Sequence, residues 1–149
     1  MLFRSHTNHR ECVAPEGGAV FLPIEYALVF STPDFPLTED ALRAQASLSL
    51  SYNSNRRCEI DGRPIGNLER YRRQTPVFSF TFGGRGSTPA GTYPAVADGY
   101  WILLPTLAAG RHTIHVVTGA PGSDDYSDLS IQLTIVPASE YVPPDMGSD

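Results

Sequence analysis

The sequence has no run approaching the ~20 apolar residues that a helix needs to cross a bilayer. Its opening, MLFRSHTNHRE, also lacks the apolar core of a signal peptide. The chain as given is therefore expected in the cytoplasm, with no membrane partner. It has no excess of basic charge either. With Lys+Arg 11 against Asp+Glu 16, the formal net charge is -5 at pH 7, whereas proteins that grip phosphate backbones carry a concentrated basic face. Arg56, Arg57, Arg63, Arg70, Arg72 and Arg73 do crowd one stretch, but no aromatic platform is interleaved with them in sequence, so a solvated rim or a set of ion-pair partners is the expected role and nucleic acid is not an expected partner. Motifs of catalysis are missing too. There is no G-x-S-x-G elbow, no H-E-x-x-H and no EF-hand spacing, and the glycines of GGRGSTPAGTYP lack the Lys-Ser/Thr and helix of a phosphate loop. No internal repeat is present, and no cofactor is expected.

What remains is ordinary globular material rich in turns. The 149 residues are 41% hydrophobic, enough for one core, and 13 Gly with 13 Pro point to many short strands. A single domain over 12–137 is expected, between an N-terminal extension (1–11) and a loose C-terminal tail (138–149).

The stretch DGYWILLPTLAAGRHTIHVV (98–117) reads as one hairpin: five large apolar residues, Tyr100 to Leu104, then a bend, then a strand with Ile114 and Val116 on one face and Thr113 and His115 on the other. Earlier, AVFLPIEYALVF is β-like but broken by Pro23. Thr38 is placed to cap a helix from Glu39 to about Ala46, with Glu39 and Asp40 at the positive end of its dipole. SLSLSYN (47–53) alternates and reads as a strand with Leu48, Leu50 and Tyr52 on one face. Asp61-Gly62 marks a tight hairpin turn, NLERYRR adds one helical turn, and Phe78, Phe80 and Phe82 line one side of another strand. Leu129, Ile131, Leu133 and Ile135 line a last one. The fold class that follows is all-β, an antiparallel β-sandwich of jelly-roll or immunoglobulin-like type with one short helix at 39–46.

Four blocks in order, ECVAPEGGAVFLPI, CEIDGRPIGNLERYRRQTPVFSFTF, PAGTYPAVADGYWILLPTLAAGRHTIHV and LSIQLTIV, resemble a group of uncharacterised bacterial proteins, mostly exported, that share a "DGYW…L…L..G.HTI" hairpin. The resemblance covers about residues 11–136 and implies no reaction. This chain departs from the group in lacking a leader and in a short N-terminus. Export of such proteins would favour pairing of Cys12 with Cys58, each of which opens a block leading into a strand, whereas a cytosolic chain would keep them as thiols.

Candidate sites follow from residue type. His6, His9 and Cys12 have the spacing H-x2-H-x2-C without a fourth zinc ligand. His112 and His115, three apart on a strand, should face opposite sides and not share an ion. Asp124, Asp125 and Asp128 crowd a loop that could hold calcium but is expected to be solvated. Tyr71, Tyr93, Tyr100 and Trp101 are the ligand candidates, because the flat apolar face of an aromatic ring matches the CH surface of a sugar. Of the neighbours Tyr100 and Trp101 one must point inward, and Trp101 is expected to be the buried one, holding the two sheets together. Three functions are therefore open: a non-catalytic binding or assembly module, a carbohydrate-binding module using exposed aromatics, or an enzyme whose site is assembled from distant acids such as Asp61, Glu69 and Asp98. A homodimer is also expected, through an unprotected edge at Leu129–Val136 or an apolar face near Tyr26, Leu28 and Phe30.

Overall fold

The computed structural model describes residues 6–53 and 55–143, so the outermost parts of the two expected loose ends lie outside the described residues. Among those described, the chain forms β1 (His6–Pro15), β2 (Val20–Phe30), α1 (Glu39–Ser51), β3 (Arg56–Ile60), β4 (Arg63–Pro64), a 3-10 turn (Leu68–Tyr71), β5 (Arg72–Gln74), β6 (Phe78–Phe82), β7 (Gly91–Leu104), β8 (Gly110–Thr118) and β9 (Ser127–Val136). The strands make two open sheets. Contacts divide the chain into two compact units, one of Met1–Leu22, Arg56–Gly66 and Leu103–Asp149, the other of Pro23–Asn55 and Asn67–Ile102.

The first unit holds a five-stranded sheet in the order β1-β9-β8-β3-β4. Its buried face comes from alternate positions: Leu133 and Ile135 of β9, Ile114 and Val116 of β8, and Cys58 of β3 are all buried. The β3–β4 turn is Asp61-Gly62, with φ of 51° and 72°, the two positive values that a type I′ hairpin turn requires. One ladder runs against the expected antiparallel order. β1 pairs with β9 in parallel over the whole of its length, from His6↔Ser127 to Pro15↔Val136, so pairing reaches into the stretch expected as an extension. Short connections favour antiparallel neighbours, but almost the entire chain separates these two strands, and no connection length constrains them.

The same ladder corrects two expectations. Leu129–Val136 is not an edge, because β9 lies between β1 and β8. Cys12 and Cys58 do not meet: both are free, Cys12 exposed and Cys58 buried, and β9 and β8 stand between their strands. Three strand spacings put them roughly 14 Å apart, about twice the Cα separation a disulfide spans.

In the second unit β7 runs between β2 and β5, with β6 paired to its first half. The expected hairpin of 98–117 does not form, since β7 and β8 belong to different sheets. The two apolar runs are adjacent in the chain, but each has its own partners: Tyr100 is opposite Arg72 of β5, and Ile114 is opposite Ile131 and Ile60. The helix is longer than expected and absorbs the SLSLS stretch. Thr38 caps it, its hydroxyl accepting from Ala41 N at 3.3 Å. Its buried stripe is Leu42, Ala46 and Leu50, four residues apart, and Leu42 and Ala46 pack with Val96 of β7 and with Val29 and Leu37. One face of this sheet is thus covered by α1.

Candidate functional site

On the other face of that sheet the geometry is set by two glycines of β7. A Cβ at Gly99 would lie 2.6 Å from Cζ2 of Trp101 and 2.8 Å from Cβ of Tyr26, and one at Gly91 would lie 2.8 Å from the Tyr93 hydroxyl. Each ring therefore lies down over the glycine two residues before it, on the same side of the strand. Hydrogen bonds hold both rings flat. Trp101 Nε1 donates to the Arg73 carbonyl at 3.0 Å, and the Tyr93 hydroxyl donates to the Pro89 carbonyl at 3.0 Å. Tyr26 stacks on Trp101 with centroids 5.4 Å apart and an interplanar angle of 28°.

The β6 register adds three more rings. Phe78, Phe80 and Phe82 stand opposite Ala95, Tyr93 and Gly91, and so project from the face that carries Tyr93. Phe30 packs among them, 5.3 Å from Phe80, 5.5 Å from Phe82 and 5.7 Å from Tyr93. Seven aromatic side chains thus share one face of a single sheet. They are not equally wet: Tyr93 is buried, Trp101, Phe30, Phe80 and Phe82 are half-buried, and Tyr26 is 58% exposed.

Trp101 is therefore not the core residue it was expected to be. Its neighbour Tyr100, 2% exposed, takes the inward position, and its hydroxyl donates to the Glu69 carboxylate, both oxygens of which lie at 3.0 Å. The reason is parity. Val96, packed on α1, fixes the even-numbered residues of β7 to the helix side, and Trp101 falls on the other. Of the four aromatic candidates, Tyr93 and Trp101 are brought to one face and Tyr100 is sent to the opposite one. Tyr71 sits in the 3-10 turn before β5 under the Arg70 guanidinium, which is 4.7 Å from its ring centroid and donates to its hydroxyl at 2.8 Å. Tyr26 was missed as a ligand residue. The signal that could have found the platform is the spacing Gly-x-aromatic in GTY and GYW, which lets a ring lie on the backbone.

Of the acids named for an assembled catalytic site, Asp98 and Glu69 gather about Arg72 and Tyr100 in one unit and Asp61 lies in the other, and all three are engaged. Asp98 is buried on the helix side, its oxygens taken by Arg72 Nε and Nη2 at 3.2 and 2.9 Å and by Gln74 at 3.3 Å. Glu69 is held by Tyr100. Asp61 belongs to the other unit, where Oδ1 accepts from Thr113 N and Oδ2 from His112 Nδ1, both at 2.8 Å. Among the described residues no buried side-chain nitrogen or oxygen lacks a partner. Burial, with Glu59 adding to it, pushes the Cys58 thiol up to about 11, so it is not a nucleophile at neutral pH.

The remaining histidines and acids pair off. His115, on the face of β8 opposite His112, bonds Asp128 at 2.9 Å, and Tyr126 donates to the second oxygen of Asp128 at 3.3 Å. Among the described residues no three His, Cys, Asp or Glu side chains gather as metal ligands would; this covers His9 and Cys12 on β1 and Asp124, Asp125 and Asp128. No helix among the described residues is long and apolar enough to cross a membrane. The arginine stretch is split, Arg56, Arg57 and Arg63 lying in the first unit and Arg70, Arg72 and Arg73 in the second. No family model matches the chain, and neither does any curated protein or solved structure.

Proposed function

We propose that the protein is a non-catalytic binding module of sandwich type, and that its ligand surface is the aromatic face of the β2-β7-β5 sheet. The observation that carries this reading is the Trp101 ring laid flat over Gly99 with the exposed Tyr26 ring stacked on it, because a surface that gives up side-chain volume to hold aromatic planes level and fixed is organised in advance for contact. The engaged state of Asp61, Glu69 and Asp98 supports the non-catalytic half of it.

Among ligands the rings favour carbohydrate. The exposed ring of Tyr26, backed by Trp101, offers a flat apolar plane next to backbone and hydroxyl polar groups, which is the mixed surface a sugar presents in return. Kinship with the exported bacterial group would place such a module outside the cell, where polysaccharides are met.

The test uses a single reporter. Trp101 is the chain's one tryptophan, so saccharide titrations followed by intrinsic fluorescence read this face alone. A saturable change in emission with at least one member of a glycan panel is expected. An unchanged spectrum across the panel, with no binding by calorimetry, removes the carbohydrate reading.

A further inference from the structure

We infer that the part of this face around Tyr26, Arg70 and Arg73 binds an acidic saccharide, a chain of sugar rings carrying carboxylates; the inference rests on reading the face as a binding surface. The placement comes from the strand order. Gly99 lies in the middle strand, with Tyr26 of β2 packed over it on one side and Arg73 of β5 paired to it on the other. Residues directly opposite in a ladder share a face, so Arg73 projects on the side of Trp101 and Tyr26, while Arg72, opposite Tyr100, turns to the helix side and neutralises Asp98.

Two guanidinium groups are left without an acid. Arg73 donates through Nη1 to the carbonyls of Arg70 and Arg72, at 3.0 and 2.6 Å, and Arg70 donates to Tyr71; neither has an ion-pair partner among the described residues, and both are exposed. The acids nearest in the chain are turned elsewhere: Glu69 accepts from the Tyr100 hydroxyl and lies in the field of Arg72, which itself pairs with Asp98. On a chain of net charge -5 a basic edge beside an exposed ring has a definite complement, an anion attached to something that stacks.

The planar fork of a guanidinium matches a pair of oxygens such as a carboxylate or a phosphate presents, and the stacking ring of Tyr26 beside it favours a carboxylate carried on a sugar. The carbonyl bonds of Arg73 use one terminal nitrogen and leave Nε and Nη2 to a ligand. Anchoring of Arg73 and of the Trp101 ring on backbone carbonyls, and of Arg70 on the Tyr71 hydroxyl, fixes the spacing of charge and plane before any ligand arrives, which lowers the ordering cost of binding.

The experiment compares a hexamer of galacturonic acid with its methyl ester, the same sugar chain with the charges removed, by calorimetry and Trp101 fluorescence. The acid should bind at least tenfold more tightly than the ester and lose affinity as salt is raised. Arg73→Gln and Arg70→Gln should each weaken it severalfold, and Tyr26→Ala should do so for both forms. Thermal melts check that each variant is folded; Arg73→Lys, which keeps the charge and loses the fork, and Tyr26→Phe, which keeps the ring, serve if the others are not. Equal binding of acid and ester overturns the acidic inference and leaves the carbohydrate reading standing. Binding of neither overturns the acidic inference, and the carbohydrate reading is then decided by the glycan panel. Tighter binding of a single-stranded oligothymidylate than of the hexamer overturns the inference in favour of a phosphate backbone.

Discussion

At the scale of single residues, His112 is the group whose state its neighbours dictate. Its Nδ1 faces the Asp61 carboxylate and its Nε2 the Ala108 carbonyl, each at 2.8 Å, and since neither partner can donate, both ring nitrogens must carry hydrogen. The bond to Asp61, with that to Ala108, accordingly raises the His112 pKa above its ordinary 6.5. The bonds from His112 and Thr113, helped by Arg63, lower that of Asp61 below 3.8. A raised histidine pKa stabilises the fold fully below 6.5 and loses that contribution as pH climbs through the folded value. A lowered aspartate pKa stabilises it above 3.8 and loses that as pH falls through its folded value. The pair is therefore at full strength between about pH 4 and 6.5. Thermal melts of wild type and His112→Gln should differ most near pH 5.5 and converge toward pH 9. A penalty constant over that range would mean that the ring is neutral in the fold. The pairing was not visible in the sequence, where Asp61 marks a turn with Gly62 and stands as one of several acids: the φ of 51° at Asp61 closes that turn, and the carboxylate it carries meets β8, whose position comes from sheet pairing.

At the scale of elements, α1 shows where local pattern was legible and where it was not. The Thr38 cap and the acidic first turn were readable because capping is local chemistry. The helix's second half was misread, since LSLS satisfies a period of two and, joined to Leu42 and Ala46, a period of four equally well. Packing on Val96 and Val29 decides between them: Leu50 is 3% exposed and Leu48 53%. Leu50→Ala should therefore cost about 2–5 kcal/mol and Leu48→Ala no more than about 0.5 kcal/mol, as read from urea denaturation. Equal costs would restore the strand. The β7–β8 hairpin failed for a related reason. Both runs were correctly seen as strands, and the three phenylalanines of β6 were correctly placed on one face, but which strand pairs with which depends on contacts far apart in the chain. The same gap hid the aromatic face, whose rings come from β2, β6 and β7.

At the scale of the whole molecule, the question is what the sheet margins do. Self-association was expected because Leu129–Val136 has neither proline nor lysine, yet that strand is flanked on both sides, and its backbone groups are satisfied by β1 and β8. The margin moves outward to β1, whose side away from β9 has no strand among the described residues. That strand is better defended. It carries His9, Arg10 and Glu11 in succession, His9 and Glu11 lying 4.0 Å apart, and ends in Pro15, which has no donor to offer a second chain. Charges and proline are the features by which natural edges resist pairing. The aromatic face is another surface a second copy could cover, but Arg70 and Arg73 stand at its border, and a two-fold axis there would bring like charges together. We therefore expect light scattering after size exclusion to give a mass near 16 kDa throughout the micromolar range. A doubled mass that falls to the monomer on replacing Val13 by lysine, at a position 57% exposed on β1, would instead place a second copy against that strand.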